Sequence, residues 1–486
     1  MANNVAVALP SLKLSDDEQR EVNKLRSRIS GFAKKNKLKH EFYEGKNVAR
    51  DLNISIPPHL KDLIVSVGWA GTVVDVTEER LDLLGWTSIK DDLRGLDDIY
   101  TDNELDLEAS RAHIEALITG TGIVTVGKGD SDEPEVLITP ESSSHSTAVW
   151  DYRKRRVSSA LSQTLDDTGK VIMETLYLPN ENIRFERARN GRLVIVDRDT
   201  HKLNRVLVAR MRNRSRASDS EGRSEITKPI MYYTDAACRT MLGMEINREF
   251  YTAPQRYALG AEPEQFGVTE ESSDYDKVLA GWRATMGRFN VIPRNGDDEL
   301  PILDQFPSQP PTPYIEQLRA YSQFVSSESG IPETYLGFST DNPPSADSIR
   351  QNEYRLVKRA ERRQKAFGSA WREIAYLALL VRDEKVDPEW FKTIKVRWED
   401  PSTPTRAATA DEATKLVASG ILTPDSKVTY DRIGLSDQDQ ARLAEDKRQL
   451  RVTELLQNIR AAGDQARQDP ATASAVQPGS AGEGDE

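Results

Sequence analysis

The chain has one cysteine, Cys238, which excludes an internal disulfide and any metal site built from clustered thiolates. Its five histidines, His40, His59, His113, His145 and His201, lie far apart with no His-Glu-x-x-His pattern, so no local motif points to metal or triad chemistry. No apolar run approaches the roughly 18 residues of a membrane span. Met1 to Leu14 lacks the basic start and hydrophobic core of a secretion signal. The expectation is a protein with no membrane partner that remains in the cytoplasm where it is made. A net charge of -12 also lacks the basic balance of chains whose main business is gripping nucleic acid.

An intact phosphate-binding loop is missing as well. Gly122, Gly127 and Lys128 satisfy most of G-x-x-x-x-G-K-[ST], but Gly129 stands where a Ser or Thr would hold magnesium. The residues between the glycines are β-formers, and Gly129 to Pro134 reads as a turn where the motif needs a helix, so the segment is predicted as a β-hairpin. The eight carboxylates between Asp91 and Glu108 raise a metal-dependent nuclease, yet they crowd one predicted helix and its lead-in loop instead of converging from separate elements. Solvated surface is the reading adopted. No cofactor is expected.

What is present is a 486-residue chain, 37% hydrophobic and 30% charged, with length for two or three domains and a sizeable core. The stretch Thr312 to Arg382 organises it. Thr312 and Pro313 read as a cap and first-turn proline, opening a helix with Ile315, Leu318, Tyr321 and Val325 at helical spacing. Gly330-Ile331-Pro332 stops it. After the turn-rich Gly337 to Pro344, Ser345 caps a second helix that runs to about Arg382, roughly 57 Å long. Its apolar positions Ile349, Leu356, Ala360, Phe367, Trp371, Ile374, Ala378 and Val381 form one stripe, with Arg350, Arg355, Lys358, Arg359, Arg362, Arg363 and Lys365 on the opposite face. A stripe of that length is expected to need an assembly to cover it.

Three runs in this order carry a resemblance: Gly330-Ile331-Pro332-Glu333-Thr334-Tyr335-Leu336-Gly337, Asn342-Pro343-Pro344-Ser345-Ala346-Asp347-Ser348-Ile349-Arg350, and Leu356-Val357-Lys358-Arg359-Ala360-Glu361-Arg362. Together they resemble the portal proteins of tailed bacteriophages, in the SPP1-like branch common among actinobacterial phages. Tyr43-Glu44-Gly45, Asn103 to Val126 and Gly222-Arg223-Ser224-Glu225-Ile226 are similar to further short portal motifs. The resemblance covers most of Leu60 to Trp398.

It implies an α+β portal fold: a mixed α/β wing, two stem helices flanking a small clip, a long bent helix and a helical C-terminal crown. The implied divisions are an N-terminal helix and wing at 1–233, a first stem helix at 234–252, a clip at 253–311, a second stem helix at 312–330 and a tunnel loop region at 331–344. The long helix and wing closure follow at 345–400, the crown at 401–463 and a disordered tail at 464–486. The implied function is a dodecameric ring at one capsid vertex, a non-enzymatic head-tail connector through which double-stranded DNA is packaged and ejected. Implied partners are the terminase large subunit, a head-tail adaptor, the major capsid protein and duplex DNA read without sequence specificity. The ring would be assembled in the bacterial cytoplasm and end in the virion. Ser339, Thr340, Asp341 and Asn342 would form the tunnel-facing tip, and Pro254, Gln255, Arg256 and Tyr257 the clip docking surface. An acidic chain fits a conduit, because each cation on a phosphate would slow passage. The readings from other classes are a terminase-like ATPase or nuclease and a capsid scaffolding protein.

Elsewhere Ser15 to Tyr43 reads as a helix whose basic residues form a solvated face. Leu60 to Val76 reads as a helix running into a strand at Thr72 to Val76, and strands are expected at Glu135–Ile138, Val171–Leu178, Leu193–Val196, Arg205–Met211 and Ile394–Trp398. The first stem helix is expected to be capped near Thr234 and Asp235. Arg153 to Arg156, and Arg210, Arg212, Arg214 and Arg216 on one side of an extended segment, are the basic runs of the wing, with neighbour-subunit carboxylates and DNA phosphate as equal candidate partners. Pro293, Pro301, Pro307, Pro310, Pro311 and Pro313 mark an extended exit from the clip.

Overall fold

The computed structural model describes residues 13–46, 65–89, 92–252, 256–259, 268–269, 271–277, 302–305, 310–338, 345–402 and 406–468. Two units divide the chain, Met1–Ser402 and Thr403–Glu486. In chain order the first holds α1 (Asp16–Tyr43), α2 (Trp69–Glu78), β1 (Leu83–Ser88), α3 (Leu96–Asp102), α4 (Leu105–Thr119), β2 (Thr121–Lys128) and β3 (Val136–Glu141). Then come β4 (Ser146–Asp151), β5 (Arg156–Leu165), β6 (Val171–Tyr177), β7 (Asn182–Arg187), β8 (Leu193–Asp199), β9 (Val208–Arg212) and α5 (Lys228–Thr252). The remainder is β10 (Arg256–Leu259), β11 (Ile302–Gln305), α6 (Thr312–Ser329), α7 (Ala346–Asp383), α8 (Pro388–Phe391) and β12 (Ile394–Trp398). Helices and sheets thus alternate in an α+β arrangement.

The sheets are antiparallel: β4 to β8 in sequential order, β3-β2-β9, and the pairs β1-β12 and β10-β11. Sequential pairing of β4 to β8 is what short turns such as Asp166 to Lys170 allow, where the Asp166 carboxylate accepts the Thr168 and Lys170 amides. Helix α1 starts on a reciprocal cap between Ser15 and Glu18, then lays Val22, Leu25 and Ile29 on Leu161, Leu176, Ile183 and Phe185 of the large sheet. Its basic residues are not a solvated face throughout. Arg26 grips the buried Glu174 carboxylate, Arg28 reaches Glu221 at 3.0 Å, and the buried Lys39 donates to the Ile226 carbonyl.

The main core lies under α7, where Leu356, Ala360, Phe367, Trp371, Ile374 and Ala378 join α2, α4 and the three-stranded sheet. Five of the six expected packing residues are therefore buried by the chain's own elements, and the stripe needs no second copy to cover them. Ile349 is the exception at 44% exposed, because it lies in the first turns of α7, before the core begins at Leu356. Thr72 to Val76 is helical, not a strand: Val73, Val74 and Val76 are all buried inside α2, and burial on several sides outweighs the β preference of valine. Helix α5, expected to start near Thr234, begins at Lys228 with Pro229 in its first turn, so Thr234 sits inside it. Gly122 and Lys128 belong to a strand paired with β3 as a hairpin. A Cβ on Gly122 would stand 2.7 Å from the Ala112 carbonyl, so this glycine serves the packing of α4 on β2.

Asn103 ties α3 to the sheet edge. Its amide donates to the Ile99 carbonyl at 2.9 Å and the Val136 carbonyl at 2.8 Å, and its oxygen accepts the Ile138 N–H at 2.7 Å. Asn103→Ala leaves those buried groups unmet and is expected to lower unfolding free energy by about 1–3 kcal/mol. Urea denaturation checks this, and an unchanged midpoint would count against it.

The second unit contains α9 (Arg406–Ala418), α10 (Lys427–Ile433) and α11 (Asp437–Gln468). Ser426 caps α10 through the Thr429 amide, and Arg432 pairs with Glu412 at 2.8 Å to link α10 to α9. The tail was expected to begin at Asp464, but α11 continues to Gln468, since Ala466, Arg467 and Gln468 are all good helix formers.

Candidate functional site

The junction of β9, α5 and α7 is built around the segment Gly222 to Ile226. Gly222 has φ of 85°, and a Cβ there would fall 2.2 Å from the Gly120 carbonyl, so only glycine lets the two backbones meet. Asn213 then accepts from the Arg223 amide, and Glu225 N–H donates to the Leu117 carbonyl at 2.8 Å. This drives the Glu225 side chain into the interior, where it is 2% exposed.

There Glu225 accepts from Arg363 Nε at 3.1 Å, Asn213 Nδ2 at 2.9 Å and Arg214 Nη1 at 3.3 Å. Burial alone would push its pKa up, but the Arg363 and Arg214 guanidiniums outweigh that and hold the carboxyl below its usual range. One carboxylate thus joins the end of β9, the start of α5 and the middle of α7. Arg363 was expected on a solvated face and is instead 6% exposed. Its length lets the guanidinium cross to the buried acid while the stem lies along the helix.

Two neighbouring arginines hold the end of α6. The last carbonyls of any helix lack intrahelical donors. Arg355 donates to the Ser327 carbonyl at 3.1 Å and Arg359 to the Glu328 carbonyl at 2.7 Å, so one face of α7 caps the C-terminus of α6. Gly330, with φ of 76°, ends α6 against the Arg359 side chain. Beyond it a 3-10 turn, Glu333–Leu336, is fastened twice: Trp69 donates to the Leu336 carbonyl at 3.2 Å, and the Tyr335 hydroxyl donates to Glu353 at 2.8 Å. Arg80 closes that cluster on Tyr335 and Glu353. On the far side Ser345 caps α7 through the Ser348 amide. A cavity of about 570 Å³ between α6 and α7 is lined by Arg319, Gln323, Phe338, Asn352 and Arg355.

Helices α5 and α6 are held together by their rings, Tyr233 stacked on Phe324 at 5.0 Å and near Tyr321 at 6.1 Å. The expected tunnel residues Ser339, Thr340, Asp341 and Asn342 lie outside the described residues, as do Pro254 and Gln255. Arg256 and Tyr257 fall on β10, opposite Gln305 and Asp304 of β11. The structure therefore describes both ends of the 331–344 segment, while its tip lies outside the described residues. Sequence reasoning missed Glu225 as the hub, although Gly222-Arg223-Ser224-Glu225-Ile226 was among the motifs it singled out.

The family model described as phage portal protein, SPP1 Gp6-like, matches residues 28–451. The portal protein of Mycobacterium phage D29 is 33% identical over 392 residues, covering 78% of each chain. That of Mycobacterium phage L5 is 32% identical over 394 residues, again 78% of each. Among solved structures, a chain from the neck of a native gene transfer agent particle computed with C12 symmetry covers 81% of this chain and 98% of its own length, at 12% identity and a TM-score of 0.45. That last likeness is too distant to bear on function. The match over most of the sequence, and two relatives at about one-third identity, place this chain in the SPP1 Gp6-like family of phage portal proteins, structural components of the virion and not enzymes.

Proposed function

We propose that the chain forms a dodecameric ring at one capsid vertex, assembled in the host cytoplasm and seated against the major capsid protein. Double-stranded DNA passes through it in packaging and ejection, while the clip at 253–311 docks the terminase large subunit and later the head-tail adaptor. The 331–344 segment lines the channel. One observation supports this most: both feet of that segment are fixed, the first by Arg355 and Arg359 at the end of α6 and by Trp69 and Tyr335 at the 3-10 turn, the second by the Ser345 cap of α7. A segment anchored so firmly at both ends can present a polar tip to a moving duplex without pulling the stem apart.

That tip, Ser339 to Asn342, carries no cation. Contact with DNA should therefore add no salt-dependent attachment, and Asp341 repels the backbone. Asp341→Lys with Asn342→Lys is expected to leave rings intact under the electron microscope and to slow packaging, with the deficit easing as salt rises. Normal packaging rates across salt concentrations would remove the segment from the channel. A strictly monomeric wild-type protein, absent from particles, would end the ring proposal itself.

A further inference from the structure

The sheet region from β4 to β9 gathers cations that form no ion pair among the described residues. The turn between β4 and β5 is drawn tight by Asp151, whose carboxylate accepts the Arg153 and Lys154 amides at 2.9 Å each. Arg155 takes the left-handed region at φ of 51°. This turn leaves the Arg153, Lys154 and Arg155 side chains exposed and Arg156 half-buried. The second basic run does not stay extended beyond β9. It turns at Arg214, whose φ is 50°, and folds back onto the first. Tyr152 and Ser220 share a hydrogen bond of 2.5 Å, and the Arg212 guanidinium lies 4.3 Å over the Trp150 ring. Two basic runs far apart in sequence thus form one patch.

The same loop shows how this chain treats arginines that meet carboxylates. Arg210 is 5% exposed and reaches Glu221, Arg214 reaches Glu225, and Arg223 pairs with Asp219. Each is answered within the subunit, so for Arg210 and Arg214 the partner is neither of the two equal candidates read from the sequence, a neighbour's carboxylate or DNA phosphate. Arg153, Lys154, Arg155, Arg156, Arg212 and Arg216 are different: among the described residues none forms an ion pair. In a chain of net charge -12 that concentration is unfavourable by itself, through like-charge repulsion.

We infer that this patch is a second contact site for duplex DNA, on the wing and separate from the channel. Three features favour a phosphate backbone over an acidic protein surface. Four of the six cations sit on one tight turn, three of them exposed, a spacing that tracks a backbone more readily than it buries in a flat interface. Most are guanidiniums, which take phosphate oxygens in bidentate fashion. Tyr152, 69% exposed, and Trp150 interleave with them, the pairing of ring and cation common at nucleic-acid surfaces. The patch stands or falls independently of the channel proposal, since a wing site could act on DNA that never enters the ring.

Closed circular duplex DNA tests it, because a closed circle cannot thread a closed ring. The full-length assembled protein should bind it with an affinity that falls steeply with salt. Arg153→Gln, Lys154→Gln, Arg155→Asn and Arg156→Gln together should make the slope of log affinity against log salt shallower by about 3–4 per site, and weaken binding about tenfold or more at moderate salt. Asparagine is chosen at 155 because it tolerates positive φ. Arg153→Lys, Arg155→Lys and Arg156→Lys together, which keep all four charges, or removing the same charge at Lys34, Lys37, Lys365 and Lys392, should leave most of the binding. Unchanged binding by the neutral variant would overturn the inference. Loss of assembly in the neutral variant, restored by the lysine variant while neither wild type nor lysine variant holds circular DNA, would overturn it too and assign the patch to carboxylates of a second copy.

Discussion

Glu225→Ala is expected to cost about 3–5 kcal/mol of unfolding free energy, because it strips the acid from a buried cluster and leaves its cations uncompensated. Arg363 has no route to water: it is 6% exposed and its remaining bond is to the Arg359 carbonyl at 3.0 Å. Arg214, on the rim, can turn outward. Glu225→Gln keeps one acceptor without the charge and should fall between the two. Pairing Glu225→Leu with Arg363→Met removes both buried charges and should recover much of the loss, since apolar replacement of a buried pair is often close to neutral. The native carboxylate, with its pKa depressed in the fold, contributes its stability in full above the unfolded value near 4.5 and loses it as pH falls through the folded value. Denaturation of the alanine variant within 1 kcal/mol of wild type would show that this cluster does not bind β9 and α5 to α7. Because the same cluster sits beside Arg359, its loss should also loosen the end of α6, read as faster amide exchange at Ser327 to Gly330.

Much of this architecture was legible where side chains follow a clear period. The stripe from Leu356 to Ile374 and the caps at Ser345 and Gly330 were readable because helices bury a face and end on specific residues. Strands β4, β5 and β7 were passed over. β4 and β5 are rich in serine and threonine, which blur the apolar alternation of a strand, whereas in the fold Ser159 donates to Glu21 and Ser162 donates to Glu141 at 2.7 Å, so the polar groups are met inside. Strand β1 hid behind Gly85, whose φ of 93° marks the irregular pairing between Leu83 and Trp86. The site was less legible than the fold for a related reason. Arginines at 355, 359 and 363 carry the same sequence signal whether solvated or buried, and only their distant partners, Ser327, Glu328 and Glu225, distinguish the cases.

Trp371→Ala is expected to lower unfolding free energy by about 3–5 kcal/mol, the range for a fully buried large aromatic. The indole does more than fill space. Its Nε1–H donates to Nε2 of His113 at 2.9 Å, and the imidazole, wholly buried, stacks on Phe367 at 5.3 Å and tilts against Trp398 at 5.5 Å. That donation fixes His113 as the neutral tautomer with its proton on Nδ1, which faces the Glu78 carboxylate at 3.8 Å. Trp371→Phe keeps most of the volume but orphans Nε2, and should cost about 1–3 kcal/mol. Burial lowers the His113 pKa, and the hydrogen bonding and charge of Glu78 only partly oppose it. The sign of the pH effect follows: below the unfolded value near 6.5 the unfolded chain takes up a proton that the folded chain refuses. Stability from this cluster is therefore complete above about pH 6.5 and declines as the solution is acidified below it. His113→Gln supplies an acceptor for Trp371 and cannot titrate, so its stability should be lower overall but flatter with pH across that window. An equally steep acid decline in His113→Gln would move the titration to another group, with the half-buried His145 and His201, whose pKa values burial also lowers, the next to replace.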